Sequence, residues 1–299
     1  WAESETATIA DIVSSPYTMP DHDTVLYAVY EPVKYEVTVH TVDGYSVAGI
    51  NADGYTFGEY AEFTVSGTNP KVYINGVCVQ SEDGKYRFAV NSDSSVVVSD
   101  SSLMYIIYSA NGGVNAPVDL VGYTSGATAR VSSNLPVRTG YVCSGWSREP
   151  SAENAAYTGG ETVQVASEDI VLYAVWEPIS YTVKYDSNGG DGEMAATVAV
   201  YDKEFTISEN TFTKAGRQFV GWSYTAGGEL AYANGAKVKN LADVQDAELT
   251  LYAVWKGAVT TVRFNFTGGS SGTASCEAAY GELLPAGKLI APNRYGYRF

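Results

Sequence analysis

Lys214-Ala-Gly-Arg-Gln-Phe-Val-Gly-Trp222, followed by Leu251-Tyr-Ala-Val-Trp255, is the most informative stretch of the chain, because both parts recur. Gly145-Trp146 lies 76 residues before Gly221-Trp222, and Leu172-Tyr-Ala-Val-Trp176 lies 79 residues before its counterpart, with Leu26-Tyr-Ala-Val-Tyr30 a further near copy. A third marker precedes each Gly-Trp: Tyr108-Ser-Ala-Asn-Gly-Gly113, then Tyr185-Asp-Ser-Asn-Gly-Gly190, echoed by Phe266-Thr-Gly-Gly269. The order never changes: Gly-Gly, Gly-Trp, Leu-Tyr-Ala-Val. Self-similarity at a fixed period marks an array of small folded units.

Working outward from these markers, residues 102–178 and 179–257 are two complete copies of a unit of roughly 77 residues. Residues 258–299 open a further copy, and residues 1–33 read as the C-terminal half of another, with Trp1 in the place of the Gly-Trp tryptophan. The chain begins without Met, so the sequence reads as a piece cut inside a repeat at both ends. Leu26 and Leu172 are 146 residues apart, too far for one period. The excess falls in residues 34–101, where Tyr35-Glu-Val-Thr-Val-His-Thr-Val42, Glu62-Phe-Thr-Val65, Lys71-Val-Tyr-Ile74, Lys85-Tyr-Arg-Phe-Ala-Val90 and Ser95-Val-Val-Val-Ser99 alternate between Asp-Gly and Asn-Gly breaks. That pattern predicts about six short strands in a small β-sandwich-like module.

Composition agrees with a mainly β fold. The 299 residues include 30 Gly, 24 Tyr and only 3 Met, with 45% hydrophobic and 17% charged residues. This is apolar enough for packed cores and excludes a disordered chain. With 18 basic against 34 acidic residues the net charge is -16, which removes the long-range attraction that nucleic acid or anionic lipid would need. No run reaches the 18 or so apolar residues of a membrane span. Within 179–257, Tyr181-Thr-Val-Lys-Tyr185, Thr197-Val-Ala-Val-Tyr201, Gln218-Phe-Val-Gly-Trp222 and Leu249-Thr-Leu-Tyr-Ala-Val-Trp255 are expected as strands. The stretch 207–216 is the only place for a helical turn, and Pro136 in its counterpart keeps any helix short. All five Trp fall on repeat markers and are expected as core pillars, with sugar-stacking platforms as the functional alternative.

The motifs resemble the Listeria-Bacteroides repeat, or internalin B-repeat, family. Its pattern of Asn-Gly-Gly, basic-x-Gly-Tyr-x-Phe-x-Gly-Trp and Leu-Tyr-Ala-x-Trp appears here in Arg138-Thr-Gly-Tyr-Val-Cys-Ser-Gly-Trp146 and in 214–222, and begins in Arg294-Tyr-Gly-Tyr-Arg-Phe299. Cys143 replaces Phe, Arg217 replaces Tyr and Tyr30 replaces the closing Trp. The resemblance implies tandem β-grasp-like repeats on secreted or wall-attached bacterial proteins. The residues carrying the repeat signature are Trp1, Gly112, Gly113, Gly145, Trp146, Tyr173, Trp176, Gly189, Gly190, Gly221, Trp222, Tyr252 and Trp255.

Chemistry is sparse. His22 and His40 lie in no nucleophile-base motif, so no catalytic residue, cofactor or metal site is expected. Cys78, Cys143 and Cys276 show neither CxxC nor even spacing and read as small core residues. Asp186-Ser-Asn-Gly-Gly-Asp-Gly-Glu193 looks like a calcium loop but departs from EF-hand spacing, and its counterpart 109–115 has no carboxylate, so it reads as a turn. Arg138, Lys214 and Arg294 recur just before the Gly-Tyr position, as a multivalent contact for a sulfated glycan, or as partners of a local carboxylate or caps of a turn. The expected whole is a non-enzymatic, extracellular or cell-surface stalk and adhesion scaffold, monomeric, meeting a surface protein or glycan and no nucleic acid or membrane. The alternatives are a glycan-binding module and the accessory region of a larger secreted enzyme.

Overall fold

The computed structural model describes residues 1–6, 12, 20, 23–284, 287 and 289–299; His22 lies outside them. Contacts divide the chain into two compact units, Trp1–Arg138 with Cys143–Trp176, and Thr139–Val142 with Glu177–Phe299.

In the first unit, residues 34–100 form nine strands: β1 (Lys34–Tyr35), β2 (Val37–Thr41), β3 (Ser46–Ala48), β4 (Tyr55–Thr56), β5 (Tyr60–Ser66), β6 (Pro70–Ile74), β7 (Val77–Val79), β8 (Tyr86–Ala89) and β9 (Ser94–Asp100). Every alternating run in the sequence is a strand, and β3, β4 and β7 are additions too short for periodicity to show. Sheet β2-β9-β6-β7 faces sheet β3-β5-β8. Val72, Ile74, Val96 and Val98 from the first close a core with Phe63 and Tyr86 from the second, whose rings stack at 5.2 Å. Strands β2 and β9 are parallel, Val37 opposite Ser94 through Thr41 opposite Val98.

The remainder of this unit contains β10 (Ile106–Ser109), β11 (Thr128–Arg130), β12 (Tyr141–Ser147), β13 (Thr162–Gln164) and β14 (Ile170–Pro178), the last residues of β12 and the first of β14 lying within it. Strand β14 sits between β10 and β12, and β11 pairs with β13. The Leu-Tyr-Ala-Val strand alternates: Ile170, Leu172 and Ala174 point into a core with Ile106, Tyr108, Cys143 and Trp146.

The second unit repeats the plan with β15 (Ser180–Asp186), β16 (Thr197–Val200), β17 (Phe205–Thr206), β18 (Arg217–Ser223), β19 (Lys237–Val238) and β20 (Glu248–Gly257), in the order β16-β15-β20-β18. Its core joins Tyr181, Val183, Ile207, Phe212, Trp222, Leu251 and Ala253. Strands β21 (Val259–Arg263) and β22 (Ser275–Ala279) then form an antiparallel pair. First and last strands are parallel in each copy: Ile106 opposite Ile170 onward, and Thr182 opposite Glu248 onward.

No α-helix occurs among the described residues, and 207–216 holds no helical turn, contrary to the expectation. Asn210 explains it: its side chain accepts from Phe212 N–H and donates to Phe212 C=O, and Thr213 bridges Asp191. Side chain to backbone bonds of this kind compete with helix formation. Trp1 also differs from the core-pillar expectation, being 65% exposed, although Ala2 pairs with Tyr27 in the register that Ser223 makes with Tyr252.

Candidate functional site

The repeat signature assembles into one knot in each copy. In the second copy, Asn188 takes φ 49°, a left-handed conformation that Asn tolerates, and its side-chain amide donates to Ala253 C=O at 2.9 Å. The indole N–H of Trp255 donates to Ser187 C=O at 2.8 Å, and its ring lies where a Cβ on Gly190 would sit, 3.0 Å away. Lys214 crosses the turn and donates from Nζ to Asn188 C=O at 2.7 Å. The first copy is equivalent: Asn111 donates to Ala174 C=O, Trp176 donates to Ala110 and Asn111 C=O, and a Cβ on Gly113 would meet the Trp176 ring at 2.5 Å. Arg138 lies over Gly112 as Lys214 lies over Gly189. In 258–299, Arg294 donates to Thr267 C=O at 3.1 Å.

Gly145 and Gly221 serve the second marker. Their φ values of 143° and 147° and the approach of Tyr157 and Tyr232 carbonyls to within 2.6 and 2.3 Å of a notional Cβ admit only glycine. The following Trp146 and Trp222 are fully buried, so a sugar platform fails at both. Tyr173 and Tyr252 are half-buried on the face of their strands opposite the leucines. Because Lys214 neutralises a carbonyl of the tight turn, Lys214→Met is expected to cost about 0.5–1.5 kcal/mol, the worth of one such hydrogen bond. Urea unfolding of the intact chain measures it.

Sequence reasoning missed a polar contact in the first unit. Asp169, 7% exposed, accepts from Lys71 Nζ at 2.8 Å, from Tyr105 N–H at 2.8 Å and from the Tyr73 hydroxyl. Burial beside that carboxylate drives the Tyr73 phenol far above its usual range. Tyr73, Tyr105 and Ile107 pack together around it, joining the sandwich to the following copy. Nearby, a cleft of about 580 Å³ is lined by His40, Asn75, Asp93, Ser95, Asn111 and Asn115 among others. Burial lowers the His40 pKa. Besides the half-buried His40 imidazole, the aromatic lining the cleft is Tyr108, itself buried and accepting from Ser132 N–H, so no tyrosine or tryptophan face is presented there for a sugar to stack on.

The family model of the Listeria-Bacteroides repeat domain matches residues 105–175 and 181–254. These two segments belong to that family. The knots just described are thus a property of two Listeria-Bacteroides repeats. Two proteins of Evansella cellulosilytica are similar to the chain: one named as a Gly-rich membrane protein, 29% identical over 54% of this chain and 18% of its own length, and one named as a membrane protein, 30% identical over 55% and 23%. The chain therefore spans about a fifth of the length of these relatives. No solved structure matches.

Outside the repeat knots little chemistry is assembled. Among the described residues no group of three or more His, Cys, Asp or Glu is placed to hold a metal ion, and no helix is long and apolar enough to cross a membrane. Cys143 fits the core reading, and burial raises its thiol pKa. Cys78 departs from it, exposed on edge strand β7, while Cys276 is half-buried. Arg138, Lys214 and Arg294 each sit over their own Gly-Gly turn.

Proposed function

We propose that the chain is a non-enzymatic, load-bearing spacer in a bacterial cell-envelope or extracellular protein, built of small β bodies that each resist tension applied through their ends. The family match and the names of the two relatives support the setting. The observation that carries the mechanical reading is the strand pairing. In the sandwich and in both repeats, the first long strand lies parallel to the last: β2 with β9, β10 with β14, β15 with β20.

Pulling the two ends of such a body drags neighbouring strands in opposite directions along their length. All hydrogen bonds between them then share the load and must yield together, whereas antiparallel neighbours joined by a hairpin open one bond at a time. Three bodies, 34–101, 102–178 and 179–257, each close on a shear-loaded pair, flanked by the partial copies 1–33 and 258–299. An adhesion scaffold follows from this reading: a spacer resists force when whatever it displays grips a surface protein or glycan. The net charge of -16 keeps the surface of the β units solvated.

The test is single-molecule extension of the whole chain between its ends. Three major unfolding events are expected, each releasing on the order of 25 nm for bodies of this length at about 3.5 Å per residue. Gradual elongation without resolved events contradicts the reading.

A further inference from the structure

The turn that follows each basic residue contains a glycine with positive φ: Gly140 at 76°, Gly216 at 69° and Gly296 at 80°. At two of these a tyrosine ring occupies the space of the missing Cβ. Tyr201 carbons lie 2.3 Å from a notional Cβ on Gly140, and Tyr280 carbons lie 2.5 Å from one on Gly216. Both glycines, and the loop Thr139–Val142 that holds the first, belong to the second unit.

The surrounding hydrogen bonds are copies of one another. Ile179 N–H donates to Gly140 C=O at 3.0 Å, and Tyr201 N–H donates to Ile179 C=O at 2.9 Å. Ala258 N–H donates to Gly216 C=O at 3.0 Å, and Tyr280 N–H donates to Ala258 C=O at 2.9 Å. Each set closes a ring from the glycine turn, through the first residues after the Leu-Tyr-Ala-Val-Trp strand, to the tyrosine stacked back on the glycine. Tyr201 and Tyr280 are each followed by a left-handed residue, Asp202 at φ 59° and Gly281 at φ 82°. The same position in 102–178, before left-handed Gly126, is Ser125. That repeat follows the sandwich module, which has no basic-x-Gly turn to offer a ring.

We propose that this contact is the docking interface between consecutive repeats, with the left-handed glycine as seat and the tyrosine of the next copy as the residue that fills it. The partner it fits is another repeat of the same kind, and only one whose turn carries no Cβ at that place. The serine in 102–178 marks a repeat that does not dock onto a preceding one. Inside the second unit the contact restricts the hinge at the Lys256-Gly257 junction and couples the opening of residues 258–299 to that of the repeat before them. The proposal concerns how copies join, and it stands or falls separately from their resistance to force.

Hydrogen exchange on the intact chain tests it. The variants are Tyr201→Ala and Tyr280→Ala, which remove the ring, and Gly140→Asn and Gly216→Asn, which tolerate positive φ but put a side chain where the ring sits. Each is expected to speed exchange of the amide bonded to the seat, Ile179 or Ala258, by about tenfold, with Val183 and Leu251 in the core unchanged. Combining both changes at one junction is expected to add nothing to either alone, because the two residues make one contact. Unchanged exchange at Ile179 and Ala258 in the single variants overturns the proposal, as does a double variant whose effect is the product of the singles. Where an alanine variant also loosens the core, the Gly→Asn variants decide, because Gly140 and Gly216 lie outside the tyrosine's own copy.

Discussion

Trp222→Ala is expected to unfold the second repeat at room temperature or leave it barely stable. The side chain is fully buried and meets Tyr185, Phe212 and Phe219 at ring separations of 5.0, 6.2 and 5.0 Å. Removing it leaves a cavity that the bulged strand cannot collapse into, because Gly221 is pinned against the Tyr232 carbonyl. Such a deletion costs about 3–5 kcal/mol. A body of this size has roughly 4–12 kcal/mol in total. Trp222→Phe is expected to cost distinctly less, since the buried indole N–H has no hydrogen-bond partner among the described residues and the substitution removes that desolvated donor. Chemical denaturation followed by near-ultraviolet circular dichroism separates the two. A Trp→Ala variant within about 1 kcal/mol of the parent contradicts the core role.

Asp169→Ala is the second large effect. The carboxylate accepts from Lys71, the Tyr73 hydroxyl and the Tyr105 amide at once, so its removal takes the acceptor from two donors and leaves Lys71 with the Leu103 carbonyl and solvent, where the sandwich meets the first repeat. Breaking a fully buried ion pair from one side costs about 3–5 kcal/mol, and the partial exposure of Lys71 places this loss at the lower end of that range. Asp169→Asn keeps one acceptor oxygen and is expected to fall between. The loss should also separate the unfolding of the sandwich from that of the repeat, because the joining cluster of Tyr73, Tyr105 and Ile107 rests on this residue. Denaturation that remains a single transition, with an unchanged midpoint, contradicts the assignment.

Much of this architecture was written in local pattern. Period-two runs such as Tyr181-Thr-Val-Lys-Tyr185 became strands because alternate residues face the core, Tyr181 and Val183 fully buried with Thr182 and Lys184 outward. The repeat markers were equally legible, since Asn-Gly-Gly and Gly-Trp mark backbone positions that few residues tolerate. What each marker does was not. Lys214 reads in the sequence as a candidate turn cap, but nothing local shows that the turn it caps lies 26 residues away. Asp169 sits in Ser167-Glu168-Asp169, an ordinary polar turn, and its partners Lys71 and Tyr73 are almost a hundred residues distant. The parallel pairing of first and last strands is likewise a long-range choice that periodicity cannot express. The stretch 207–216 shows the opposite error: with only local cues it offered a helical turn, and Asn210 took its backbone partners elsewhere.

The junctions follow the same division. Gly140 and Gly216 are visible as turn glycines, while Tyr201 and Tyr280 look like strand-end aromatics until the structure places their rings on those glycines.

The central claim is that the parallel pair of terminal strands bears the load. The most direct measurement pulls the second repeat in two directions within the intact chain. Attachment at residues 179 and 257 shears β15 against β20. Attachment at 217 and 257, which are opposite one another in the antiparallel β18–β20 ladder, peels that ladder from its end. The unfolding force in the first geometry should exceed that in the second several-fold; equal forces in the two directions would contradict a load-bearing design.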